Sequence, residues 1–331
     1  MTISLTKQQL LRLSIASIGV TSALSIGSYL LETGPLTQQA LTRQRQLLMV
    51  NRSRIDQWWQ QEVRRVEDNL QDPQVIQSSL SILLAKRQLR SNKNSPIALG
   101  LRAQLVADSG NRNSVSLLTK GGIVVFSTDQ KRLGMYQPLK NTTTSLELSK
   151  LATSPLNFFT DSISGQPSIS VALPVTTKER KRAGFLAIDL NLRQLTAQLI
   201  SKDADANGSQ PVPVETYLAA RTTLSRITLI AAPNALTAAQ AKRFEFNPLD
   251  SIGLRRALDG ESGEGLYLNS ASQPVIGVYA FLPNFRSALM VESLQHQVYA
   301  PARRKSLLIF LVGVFLSMIP ALVSLRRSSN Q

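Results

Sequence analysis

The sequence predicts an α+β protein. A long N-terminal helix leads into two tandem antiparallel-sheet domains, and a membrane-length apolar helix lies at each end. Three observations carry this. Residues 165–192 are echoed near residues 273–292. Residues 13–31 and 306–325 hold no charge. Between the first of these runs and Pro73, apolar residues recur at helical spacing.

The repeat is the strongest of the three. Ile169, Val171, Leu173 and Val175 alternate with small residues, the period of a half-buried strand. Residues 178–182 are five charges in a row, which belong to a solvated turn. Residues 184–188 form a second apolar run with Asp189 where it ends; Leu192, Leu195 and Leu199 then follow at helical spacing. This is a hairpin of two central strands with an acid at its exit, feeding a helix. Downstream, Gln273-Pro274 opens a strand (Val275, Ile276, Val278, Tyr279) that stops at Pro283, as Gln166-Pro167 opens one that stops at Pro174. Residues 288–291 then close on Glu292 and a helix leads away. Pro to acid is 22 residues in the first copy and 18 in the second. A unit recurring at this size argues for two copies of one small domain.

The remaining elements follow in order. Residues 13–31 are long enough to span a bilayer as a helix. Ser22-Ala23-Leu24-Ser25 would suit a cleaved signal peptide, but the uncharged run continues to Leu31, so an uncleaved anchor is expected after a cytoplasmic segment 1–12. From 38 to 70, Leu48, Ile55, Trp59, Val63, Val66 and Leu70 mark one helix face, and 33 residues reach roughly 50 Å. The Trp58-Trp59 pair could suggest ligand stacking, but one of the two, on the apolar stripe, reads more simply as core. Val75, Ile76, Leu80, Leu83 and Leu84 form a second helical face, and Ser95-Pro96 opens a third helix. Residues 115–118 and 123–126 flank Lys120-Gly121-Gly122 as a hairpin. Residues 142–151 are expected to form a pocket-side helix, and 201–213 a linker. Strands are expected at 216–221 and 226–232, a helix at 249–258 and a glycine-rich loop at 260–265. The exit helix from Leu294 runs into the second span, 306–325. Pro320 permits a kink there, and 326–331 form a cytoplasmic tail.

Composition excludes several function classes. The chain of 331 residues has no cysteine, so disulfides, thiolate chemistry and Cys-based zinc sites are ruled out. The net charge is +16, of which Lys7, Arg12, Arg326 and Arg327 carry four, leaving +12 to the middle region. Lys and Arg are not interleaved with aromatics in any nucleic-acid-binding pattern, so a basic surface near anionic headgroups is the simpler account. His296, the only histidine, lies between two glutamines with no acid or nucleophile beside it. Asp203 and Asp205 lack the glutamate of a calcium loop, and Glu261 and Glu264 read as a solvated turn. No phosphate-cradling loop or catalytic motif occurs. Neither enzyme activity, nor a metal, nor a cofactor is expected.

The wording Phe159-Thr160-Asp161-Ser162-Ile163-Ser164-Gly165, then residues 169–175, then Gly184-Phe185-Leu186-Ala187-Ile188-Asp189-Leu190 resembles the core of double Cache domains. These are tandem PAS-like extracytoplasmic sensors of bacterial receptors, and the resemblance spans roughly residues 36–304. It implies a stalk helix and membrane-distal domain over 36–200 and a membrane-proximal domain over 214–304. Flanking-charge counts do not decide the topology. The resemblance places 32–305 in the periplasm and the two spans in the inner membrane. It also implies a ligand pocket in the first copy. Family members that bind amino acids use a Tyr and an Asp before the central strand, with an Asp at the hairpin exit, to accept from the ligand ammonium. The matching positions are Phe159, Asp161 and Asp189; Ser170 joins them as a site residue, and Tyr136 and Lys140 are the nearest substitutes for the family's upstream Arg-x-Trp-Tyr run. The family's Arg-x-Trp-Tyr run has no counterpart between Leu133 and Pro155. That departure favours an amine or other cationic ligand over a standard amino acid. Asp189 equally reads as a strand-end acid capping a helix, Asp161 as a turn acid, and Phe158 and Phe159 as core. The expected function is a membrane-anchored sensory protein with no output domain in its six-residue tail, working through a separate partner, with a homodimer as one arrangement. The alternative is a structural or assembly membrane protein that keeps the fold without the ligand.

Overall fold

The computed structural model describes residues 7–85, 95–107, 112–137, 158–160, 167–192, 195–196, 199, 212–223, 226–231, 245–246 and 251–328. The expected helix at 142–151 and nearly all of the 201–213 linker lie outside them. The chain divides into two compact units, Met1–Arg43 with Ser293–Gln331, and Gln44–Glu292.

One unbroken helix, α1 (Lys7–Gln71), replaces the separate span and stalk helix read from the sequence. Pro35 lies inside it without ending it. Asp72 then caps α2 (Pro73–Leu84), its carboxylate accepting from Gln74 N at 2.8 Å. Pro73 thus closes one helix and opens the next. Ser95 does the same for α3 (Pro96–Ala107), accepting from Ala98 N at 3.2 Å.

The first sheet contains β1 (Arg112–Thr119), β2 (Val124–Ser127), β3 (Phe158–Thr160), β4 (Pro167–Thr176) and β5 (Arg182–Asn191), ordered β2-β1-β5-β4-β3 and antiparallel throughout. The β1–β2 turn uses Gly122 at φ +82°, a backbone state that glycine adopts without strain. One face of the sheet, with Val115, Leu117, Val171, Leu173, Leu186 and Ile188, is fully buried. On that side α2 comes so close that a Cβ on Gly184 would lie 2.7 Å from Leu83 Cδ2.

The second sheet contains β6 (Glu215–Thr223), β7 (Arg226–Ala231), β8 (Glu245–Phe246), β9 (Gly263–Leu268), β10 (Pro274–Leu282) and β11 (Ser287–Leu294). Its order, β8-β7-β6-β11-β10-β9, repeats the first sheet strand for strand once β8 is set aside. The tandem repeat is therefore one of topology. Helix α4 (Ile252–Leu258) has its N-cap at Ser251 and covers one face through Leu254, Ala257 and Leu258. Residues 263–265, expected in a glycine-rich loop, instead begin strand β9, an edge strand whose side chains alternate between half-buried and exposed. Ile55, Trp58, Trp59 and Val63 of α1 are buried, and Phe285 packs against both indoles with ring centroids 6.4 and 5.7 Å apart. Both tryptophans are core.

In the other unit, α5 (Gln295–Val298) and α6 (Ala300–Ser328) follow β11. Ser17 Oγ meets Ser317 Oγ at 2.6 Å, Ser25 Oγ donates to Ser306 O at 2.8 Å, and Thr37 Oγ1 meets the Tyr299 hydroxyl at 2.8 Å. Lys305 pairs with Glu32. Among the described residues, one helix is long and apolar enough to cross a membrane by length and composition, the α1 stretch from Ser14 onward. The uncharged run 306–325 lies within α6.

Candidate functional site

The first sheet presents two unlike faces. Opposite the α2 side, register places Ser170 across from Asp189 and Ala172 across from Ala187. On the other flank of β5, Ser114 pairs with Asp189, Ser116 with Ala187 and Leu118 with Phe185. Small side chains thus line the middle of this face, with a polar end at Asp189. An apolar end is formed by Leu118, Val124 and Phe185, with Leu133 packed against them. All of these small side chains are buried.

Strand β5 continues two residues past Asp189 to Asn191, so the carboxylate lies inside the ladder, 1% exposed. Its Oδ2 accepts from Ser114 Oγ at 3.0 Å and from Arg132 Nη1 at 2.8 Å. Gln137 Nε2 donates to Ser170 Oγ at 2.8 Å and approaches Asp189 Oδ1 at 3.4 Å.

Local sequence explains how Arg132 arrives. Strand β2 ends in Ser127, whose hydroxyl accepts from Ser116 Oγ at 2.9 Å and from Asp129 N at 3.1 Å. Asp129 then caps a single 3-10 turn, Gln130–Arg132, by accepting from Lys131 N at 3.1 Å. The turn folds Arg132 back over the sheet, where it is nearly buried and forms a charge-assisted pair with Asp189. Beyond it the chain runs alongside β2: Val124 N donates to Met135 O at 3.0 Å and Gln137 N to Gly122 O at 2.8 Å. That short ladder aims Gln137 at Ser170.

Of the residues proposed from sequence, Ser170 and Asp189 are brought together. Tyr136 is not: it is 64% exposed and stands beside Gly122, while its neighbour Gln137 enters the cluster. Phe159 lies on β3, paired with Ser168, and Asp161 and Lys140 fall outside the described residues. Arg132, Gln137, Ser114 and Ser116 were missed. Arg132 sits one position before the interval in which a cation was sought; the alternation of serine with Val115 and Leu117 along β1 was the available signal for the floor.

No family model matches the chain, and no curated protein does. Solved structures do. The sensor domain of the V. cholerae histidine kinase DctB superposes with a TM-score of 0.51 at 15% identity, over 78% of this chain and 98% of its own. The ligand-binding domain of the Campylobacter jejuni chemoreceptor Tlp3, with L-norvaline, gives 0.49 at 15% identity over 80% and 94%. That of the Pseudomonas aeruginosa PAO1 chemoreceptor PctB, with L-Arg, gives 0.47 at 11% over 77% and 95%. The fold of this chain is that of double Cache sensor domains.

Proposed function

We propose that the chain is a membrane-anchored, non-catalytic sensor. It binds a small polar molecule over the small-residue face of the first sheet and hands the signal to a separate partner protein. The observation that carries this is the floor of Ser114, Ser116, Ser170, Ala172 and Ala187. It ends in the Arg132–Asp189 pair, on a sheet of the sensor-domain fold. Ser170, Gln137 and the ion pair supply acceptors and donors side by side, as a ligand bearing an amine or another polar group requires. The guanidinium beside Asp189 weakens the pull on a simple cation, so a ligand with an acceptor as well as an ammonium suits the site better than a bare amine.

In this reading, 36–200 and 214–304 are the membrane-distal and membrane-proximal halves. Residues 13–31 and 306–325 span the inner membrane, and 32–305 lie outside the cytoplasm. The hydroxyl contacts of Ser17 and Ser25 with Ser317 and Ser306 support paired spans, because small polar residues let helices approach closely in lipid. Leu307, Leu308, Leu311 and Phe315 are exposed on α6, as lipid-facing residues would be.

One observation favours the structural alternative: Asp189 is already satisfied within the protein, as a purely architectural ion pair would be. A thermal-shift screen of the full chain in detergent, over amines, amino acids and organic acids, separates the two readings. The sensor reading expects saturable stabilisation by one class. A flat response to all three classes would leave the architectural reading standing, and recovery of the protein alone from mild detergent would remove the signalling partner.

A further inference from the structure

The corresponding acids of the two repeated hairpins are met differently. Asp189 faces a guanidinium, whereas Glu292 is enclosed by phenols. Glu292 lies on β11, 2% exposed, with Glu215 of β6 as its register partner. Tyr217 of β6 and Tyr267 of β9 flank its carboxyl group. Tyr279 of β10 meets Tyr267 edge to face, with centroids 6.0 Å apart. Gly277 makes room for this group: a Cβ there would strike the Tyr267 hydroxyl and lie 3.1 Å from Glu292 Cγ.

Neither Glu292 oxygen, nor the hydroxyl of Tyr217 or Tyr267, completes a hydrogen bond of good geometry. The two phenols nevertheless stand close enough to favour the carboxylate. Four buried oxygens in one cluster, short of good hydrogen bonds, are costly in a single fixed state. They suit a group that changes state. The ionisable groups that act on Glu292 are the two phenols and Glu215. Of the α4 cations, Arg255 and Arg256 are exposed, and Arg256 engages Tyr279 instead. Burial pushes the Glu292 carboxyl up to about 7; the phenols pull against this and Glu215 adds to it. Burial likewise drives both phenols well above their ordinary range, so they remain donors.

We propose that Glu292, with Tyr217 and Tyr267, forms a proton-operated switch in the second sheet. In the acid state the carboxyl group is neutral and its own O–H donates. When the proton leaves to solvent, the carboxylate takes up both phenol hydrogens. The two states place opposite demands on β6, β9 and β11, which carry the three side chains. The proton is the ligand of this site, independent of whatever the first sheet binds.

The test is pH-difference infrared spectroscopy on the full chain in detergent. A protonated-carboxyl band should disappear with a midpoint of about 7 and be absent in Glu292→Gln. Tyr217→Phe and Tyr267→Phe each remove a donor to the ionised form, and should raise that midpoint by about one pH unit. Should Glu292→Gln fail to fold, the two Phe variants carry the test alone. The proposal is overturned by the lack of any carboxyl band titrating between about pH 5 and about pH 8, by a band unchanged in Glu292→Gln, or by a midpoint unmoved in both Phe variants.

Discussion

Arg132 and Asp189 each make the other tolerable. Removing one partner of a buried ion pair leaves an uncompensated charge, which typically costs about 3–5 kcal/mol. Arg132→Ala should therefore lower unfolding stability by about that much, and Asp189→Asn in the same chain should restore part of the loss. Denaturant unfolding of the single and double variants checks this; a simple sum of the two losses would mean that the side chains are not coupled. At Glu292 the sign is opposite. Its folded-state value lies above the ordinary carboxyl value of 4.5, so stability is full below about 4.5 and falls as pH rises through about 7. Glu292→Gln should flatten that profile and stabilise the protein at about pH 8 by roughly 3 kcal/mol, read as the difference in thermal midpoint between acid and base. Asp189 and Glu292 were both visible in the sequence, because each ends an apolar run of the same repeat. Their partners were not. Arg132 reaches Asp189 through a 3-10 turn capped by Asp129, and Tyr217 reaches Glu292 across a strand pairing that spans most of the second copy.

At the scale of elements, packing decides. Trp59 is fully buried against Phe285, so Trp59→Ala should cost about 3–5 kcal/mol. Gly184 admits α2 onto the first sheet. A methyl group there would meet the Leu118 carbonyl and Leu83, so Gly184→Ala should destabilise by about 1–3 kcal/mol, with faster hydrogen exchange in α2 as the local signature. The central strands were legible because their alternation is long and their turns are charged or glycine-rich. Strand β9 was not: in Gly-Glu-Gly-Leu-Tyr-Leu, two of the three inward positions are glycine, so the apolar alternation that marks a strand is missing. The single helix α1 was split in the sequence because its charge-free run ends at Leu31 and the apolar stripe of the stalk is marked only from Leu48; Pro35 between them does not end the helix.

For the whole molecule, the matching strand order of the two sheets and the likeness to the DctB sensor domain define the fold. The proposed spans follow from the apolar runs and their sidedness from the family resemblance; the sidedness can be tested directly, because a chain with no cysteine can carry a single reporter. Lys178→Cys, on the exposed β4–β5 turn, should react with a membrane-impermeant maleimide without breaching the inner membrane. Labelling only after that membrane is opened would reverse the topology. The central claim is that the small-residue face of the first sheet holds a ligand. Titration calorimetry of the full chain with the compound that stabilises it should give saturable binding. That binding should be lost in Ser170→Leu, which fills the floor, and kept in Glu292→Gln at a pH where both are folded. Undiminished binding by Ser170→Leu would contradict the account.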